Sequence, residues 1–374
     1  MIVLACVLAL LILAFAASLP IVRVSSKDDW ESAHDAVDNM KVGWNLGNTL
    51  DVPKTKDDRE IPAAEYKTLW GNPVTTREMI KTVKAAGFGV VRVPITWDPH
   101  VDDAGNIDEA WMDRVEEVVN YVLDEGMYCI INVHHNTGGF GWLRASYADW
   151  DEMSERFRRI WEQLSERFNG YGEKLLFEGY NEIRNEEGVW SQPGDDSYKA
   201  ANDLNQIFVD TVRVGGGNNT KRNLVINTYA ANCAPLEFMN MKIPSDVGKG
   251  HLVLQVHTYF PTAFTAYRAD GVTLTDRFSL GHKLALDCEF WYLGVCQNLM
   301  KMPLIVGEFA NTWKNNPEDS CSYVKAVTDN ADLHGILCIY WDDGGNYRLL
   351  NRETLEWERD EYVNYLTGQE ADSE

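Results

Sequence analysis

The chain has 374 residues and a formal net charge of -23 at pH 7. Such an acidic surface argues against nucleic acid or an anionic membrane face as partner, because both repel it. Its 13 Trp, 16 Tyr and 13 Phe exceed what one core takes up, and the surplus suits a neutral sugar polymer whose CH faces stack on aromatic rings.

In chain order, residues 2–17 are all apolar, with small residues at Ala14, Ala16, Ala17 and Ser18. This pattern predicts a signal peptide over 1–18 and a secreted mature domain over 19–374. No Lys or Arg precedes the run and the apolar character extends to Val22, so an uncleaved anchor is the alternative. Strands are then predicted over 42–50, 90–96, 128–135, 174–182, 223–229, 252–259, 303–309 and 336–342, each a short apolar run that ends in polar residues.

Amphipathic helices fall between them. In 75–86, Thr75 and Glu78 read as a capping box, Met79, Val83 and Ala86 share a face, and Gly87 is the stop. In 108–125, Trp111, Val115, Val118 and Val122 point inward and Gly126 ends the run. Strands alternating with helices make a parallel sheet, and about eight such units in one domain make a closed (β/α)8 TIM barrel of the α/β class. A doubly wound open sheet is the other solution, but Trp44 and Asn45 stand where a dinucleotide fingerprint needs glycines. The polar segments 53–73, 136–149 and 185–196 follow strand ends and are placed on the active rim.

Cys129 and Cys338 fall in predicted strands, and Cys288 with Cys296 is a candidate local bridge. No metal-ligand spacing emerges, so neither metal nor cofactor is expected.

In a barrel of this kind, polar residues at the carboxyl ends of strands carry the chemistry. Glu182 closes KLLFEGYNE and Glu308 lies in PLIVGEF, and two carboxylates on one rim suit glycoside hydrolysis. Arg92, within VVRV, needs an anionic partner if it is buried. His134 and His135 are adjacent in an extended pattern, so they are expected to face opposite ways and not to share an ion. Asn181 is placed to hold a sugar hydroxyl. His257 and Tyr259 share a face, which sets the imidazole near the proton donor and the phenol near the nucleophile. Trp341 offers a flat floor at the cleavage point, while Trp97, Trp142, Trp190 and Trp313 are candidate platforms for neighbouring sugars.

The segments LLFEGYNEIR, INVHH, VHTY, LIVGEF and IYWDD, preceded by VGWNLGNTLD and VVRVPITW, resemble the strand ends of glycoside hydrolase family 5, a group of retaining β-glycanases. The resemblance implies that Glu182 is the acid/base and Glu308 the nucleophile, with Arg92, His134, Asn181, His257, Tyr259 and Trp341 in support. Ile183 departs from the proline more often found there. The implied activity is endo-hydrolysis of a plant-type β-1,4-glucan by a monomer, with xyloglucan, xylan and mannan as alternative substrates on the same scaffold. A noncatalytic carbohydrate-binding barrel would have no use for both glutamates. Arg92 and Tyr259 are expected to keep Glu308 ionised.

Overall fold

The computed structural model describes residues 23–26, 29–53, 63–102, 104–137, 141–267 and 271–369; the signal or anchor expected over 1–18 lies outside the described residues. Runs of Val, Ile and Leu that are buried on both sides form the strands Val42–Leu46 (β1), Val90–Val93 (β2), Tyr128–Asn132 (β3), Leu175–Glu178 (β4), Leu224–Asn232 (β5), Leu252–His257 (β6), Leu304–Phe309 (β7) and Leu337–Asp342 (β8). Neighbours pair in sequence order, all parallel, and β8 returns to β1 with Asn45 opposite Trp341, closing the barrel. The open doubly wound sheet is thereby excluded.

Five strands stop short of the expected ends. β1, β2, β3, β4 and β6 end at Leu46, Val93, Asn132, Glu178 and His257 rather than at 50, 96, 135, 182 and 259. In the tails, side chains take over from the ladder: Ile95 N–H donates to Asn132 Oδ1, Trp97 N–H to Asn136 Oδ1 and His135 N–H to Thr96 Oγ1. The backbone is thus satisfied without a partner strand and is free to turn onto the rim. β5 instead runs past 229 to Asn232, with Ala230 and Ala231 at φ of 54° and 49° forming a bulge where its register with β6 shifts.

The helix Arg77–Ala85 is capped by Thr76, not Thr75: Thr76 is extended and its Oγ1 accepts from Met79 N–H at 3.2 Å. The helix Glu109–Asp124 begins as expected, with Asp108 accepting from Trp111 N–H and Trp111, Val115, Val118 and Val122 buried. Cys129 and Cys338 lie buried in β3 and β8, but Cys288 and Cys296 are free thiols. Both sit on the helix Leu280–Met300, where eight residues at about 1.5 Å rise separate them by about 12 Å, beyond disulfide reach.

The barrel interior is layered. At the bottom, Ala33, Ala36, Val37 and Met40 of the helix Ala33–Met40 plug the opening against Val90, Ile130, Leu176, Val225, Val253, Ile305, Leu337 and Ile339. Gly43 is obligatory in that layer, since a Cβ there would lie 2.7 Å from Val90 and 2.8 Å from Ile339. Above it sits a polar layer, Asn45, Arg92, Asn132, Glu178, Asn227 and Gln255, none more than 1% exposed. That layer supports the rim. No described helix is long and apolar enough to cross a membrane.

Candidate active site

Arg92 projects from the centre of β2 into the polar layer, where a guanidinium is tolerable only if every N–H finds an acceptor. Nε and Nη2 form a fork on the two oxygens of Glu178 at 2.6 and 2.8 Å, while Nη1 donates to Glu308 Oε1 at 2.8 Å. Asn181 Oδ1 and Asn45 Oδ1 accept the remaining bonds at 2.8 and 3.0 Å. Glu178 therefore carries the main countercharge. Burial works to raise its carboxyl, but Arg92 and the Asn132 amide outweigh that and hold it below its ordinary value.

Glu308 is reached from two sides. Tyr259 O–H donates to Oε2 at 2.9 Å, opposite the Arg92 bond on Oε1. Tyr259 keeps its proton, because burial and then the Glu308 charge push its phenol far up. Burial also raises Glu308 itself, and Glu182 adds to this, while His257, Arg92 and the Tyr259 hydroxyl pull it down. The expectation that Arg92 and Tyr259 keep Glu308 ionised did not reckon with burial, which is the largest effect and leaves its carboxyl above the ordinary value. Those donors still oppose protonation, as expected.

His257 Nδ1 lies 2.8 Å from Glu182 Oε1 and 3.7 Å from Glu308 Oε2. An oxygen of each glutamate and the imidazole nitrogen lie within 4.8 Å of one another. Glu182 is therefore brought to Glu308 although it lies four residues beyond the end of β4. Both His257 and Tyr259 take the positions expected of them.

The histidine pair does not. Beyond Asn132 the strand is over and the chain turns, so strict alternation no longer separates neighbouring side chains. The two rings meet edge to face at 4.5 Å, and the Nε2 atoms of His134 and His135 stand 4.0 and 3.9 Å from Asp51 Oδ2. The argument against a shared ion from opposite faces therefore fails, although these gaps exceed the about 3.4 Å between ligands that tetrahedral bonds of about 2.05 Å require.

Burial pushes Asp51 up to about 7 against its bonds from the Thr49 and Asn48 N–H groups, and pushes His135 down to about 4. His134 is also held far down, by burial first and then by His135, Arg92 and His257. Its tautomer follows from its partner. Asn132 Oδ1 is committed to Ile95 N–H, so Asn132 Nδ2 donates to His134 Nδ1 at 3.1 Å, leaving the His134 proton on Nε2.

Trp341, 8% exposed, lies parallel to the His134 ring at 5.7 Å and forms one wall. Of the outer aromatics, Trp97 is fully buried with its indole N–H on the Asn132 carbonyl, so it braces the rim rather than offering a face. Trp142 is partly covered by the Arg156 guanidinium at 4.5 Å. Trp190 and Trp313 remain 51% and 43% exposed, each with an arginine, Arg184 or Arg359, over the ring. Trp70, 41% exposed with its ring against His135, is a further rim aromatic that sequence reasoning missed. Asn45, Asp51, Asn132 and Glu178 were missed as well. Glu178 was legible, since a buried strand arginine in VVRV calls for a buried strand acid, and KLLFE contains one.

A closed parallel barrel that brings an oxygen from each of two carboxylates within 4.8 Å on its C-terminal rim, one of them gripped by an arginine and a tyrosine, fits a glycoside hydrolase of the retaining class. The family model of Cellulase (glycosyl hydrolase family 5) matches residues 55–346, and the chain belongs to that family. It is 37% identical over 338 residues to endoglucanase A of Ruminococcus albus, covering 87% of this chain and 89% of that protein. It is also 37% identical over 347 residues to the cellulase/esterase CelE of Acetivibrio thermocellus, with 90% of this chain covered, but it spans only 40% of the length of that relative. Among solved structures, a broad-specificity endoglucanase from Ruminococcus champanellensis with bound cellotriose superposes with a TM-score of 0.85 at 35% identity, covering 91% of this chain and all of that one.

Proposed function

We propose that this chain is an exported, monomeric, endo-acting β-1,4-glucanase that works by double displacement. Glu308 attacks the anomeric carbon, while Glu182 protonates the departing oxygen and later takes a proton from water. The observation that carries this reading is the Glu182, His257 and Glu308 group, of which one polar atom from each lies within 4.8 Å of the others. Carboxyl groups roughly 5 to 5.5 Å apart leave no room for the water that an inverting enzyme needs, which requires roughly 6.5 to 9.5 Å.

The roles divide by environment. Glu308 has a fixed donor on each oxygen, Arg92 on one and Tyr259 on the other, which favour its charged form against the effect of burial and set its geometry. Among the described residues no arginine pairs with Glu182; its side chain is 23% exposed and meets His257. Once Glu308 is glycosylated its charge is gone, and Glu182 is then free to act as base. His134 Nε2–H and Asn181 are suited to the hydroxyls of the sugar at the cleavage point, with Trp341 against its face. The apolar run over 2–17 supports export, and the resemblance to an enzyme solved with cellotriose supports a linear β-glucan substrate.

Products released from linear glucan, xyloglucan, xylan and mannan define the substrate, and NMR of the first-formed anomer defines the stereochemistry; an inverted product refutes the mechanism. Glu308→Gln is expected to abolish turnover with the fold intact, and a residual rate above about a few per cent refutes its role. Glu182→Ala is expected to regain activity with azide on substrates that have good leaving groups.

A further inference from the structure

Thr258 stands between His257 and Tyr259, the residues that meet the two catalytic carboxylates. Its side chain leaves the cleft side and turns toward the helix Leu280–Met300, where its hydroxyl donates to Glu289 Oε1. The same hydroxyl oxygen accepts from Phe260 N–H at 3.2 Å, and Thr258 N–H donates to the carbonyl of Glu308 at 3.0 Å. A hydroxyl has one proton, so its commitment to Glu289 leaves its lone pairs for Phe260 N–H. The regular β6 ladder has ended at His257, so beyond the Thr258 N–H bond residues 258–260 are held by side-chain anchors, the Thr258 hydroxyl and the Thr265 hydroxyl on the Tyr259 carbonyl.

Like Glu237, Glu289 is a buried acid held by neutral donors rather than by an arginine. Asp246 and Glu178 are gripped by Arg213 and Arg92, whereas Glu289, 9% exposed, has the Thr258 hydroxyl and the Cys233 thiol, the latter at 3.5 Å. The titratable groups around it are Cys233 beyond β5, Tyr292 on its own helix and Tyr323 on the helix Pro317–His334. Burial raises its carboxyl, and an acid without a cation is an expensive way to fill space that an apolar side chain fills. Its acceptor oxygen has a job.

We propose that Glu289 is a positioning residue: through the Thr258 hydroxyl it fixes the segment 257–259 so that His257 meets Glu182 and Tyr259 meets Glu308. The inference rests on the retaining mechanism above. If the anchor is lost, the Tyr259 bond to Glu308 loosens. Glu308 is faced by Arg92 from β2, Glu182 beyond β4, and His257 and Tyr259 on the β6 segment, and with one donor weakened it holds its proton to higher pH.

The test compares Glu289→Leu, Glu289→Gln, Thr258→Val and the Leu/Val double variant with the wild type, using an aryl cello-oligosaccharide, full pH profiles and thermal melts. Glu289→Leu and Thr258→Val are each expected to lower kcat about tenfold with KM nearly unchanged. Both are expected to move the acid limb of kcat/KM upward by about half a pH unit or more. The double variant is expected to be no worse than either single one, because both remove the same link. Glu289→Gln, whose amide oxygen still accepts from Thr258, is expected to keep the wild-type limb. An unmoved acid limb in Glu289→Leu and Thr258→Val, even with a lowered Tm, overturns the proposal, as does a Glu289→Gln limb displaced as far as that of Glu289→Leu. Should Glu289→Leu fail to fold, Thr258→Val decides alone. Turnover by Glu308→Gln would instead refute the underlying mechanism, which keeps the two failures distinct.

Discussion

Arg92 shows how one buried charge organises a site. Its guanidinium serves a structural acid and the proposed nucleophile at once, with Glu178 taking two donors and Glu308 one. A buried pair is a weak source of net stability, but removing one partner leaves the other uncompensated. Glu178→Gln keeps the shape and removes the charge, and it is expected to destabilise the fold by about 3 kcal/mol in urea melts. A loss below about 1 kcal/mol would mean that Glu308 alone suffices to balance Arg92. The sequence predicted a carboxylate for Arg92 but did not say which, because Glu178 and Glu308 lie 86 and 216 residues away in the chain.

Element boundaries explain both the successes and the one misjudged pair at the site. His257 and Tyr259 share a face, as alternation along a strand requires, even though Tyr259 is past the ladder. His134 and His135 fail the same rule because the chain turns immediately after β3, and a turn brings neighbouring side chains together. The segment 185–196 illustrates rim loops fixed by their surroundings. Ser191 Oγ and Gln192 N–H donate to Glu237, Tyr229 O–H donates to the Val189 carbonyl, and Asn232 Nδ2 to that of Trp190. A loop so pinned presents Trp190 at low entropic cost, with Arg184 covering one face and the other free for a sugar. Trp190→Ala is expected to raise KM several-fold on long cello-oligosaccharides and to leave short ones unaffected. Equal losses on both lengths would mean that the ring only braces the loop.

Across the whole molecule, buried ionisable groups set how stability responds to acid. His100, stacked on Trp111 at 3.7 Å with its Nε2 buried and without a partner, is held down to about 3 by burial. An unfolded histidine titrates near about 6.5, so between those values the unfolded chain binds the extra proton. Stability from His100 is thus present above about pH 6.5 and lost as the pH falls toward about 3. His135, at about 4, acts in the same direction, whereas Asp51, raised to about 7, works oppositely and loses its contribution as the pH rises through that value. His100→Phe fills the same ring-lined space and removes one proton site. Urea melts are expected to show the slope of unfolding free energy against pH near about pH 5 reduced by about 1.4 kcal/mol per unit, and an unchanged slope would refute the assignment.

Local chemistry by itself determined that this is a barrel of alternating strands and helices, since a run of Val and Ile between amphipathic helices has few other ways to bury both faces. It also singled out Glu182 and Glu308, the two glutamates proposed to carry the reaction, which the fold brings together on the rim. Tertiary structure alone decided that β5 bulges where five other strands stop early, that Asp51 draws in both histidines, that Glu178 neutralises Arg92, and that Cys288 and Cys296 stay apart. The reason is range: period and propensity act over a few neighbouring residues, whereas partners for buried charges are chosen across the barrel, where closure brings distant strands within hydrogen-bond reach.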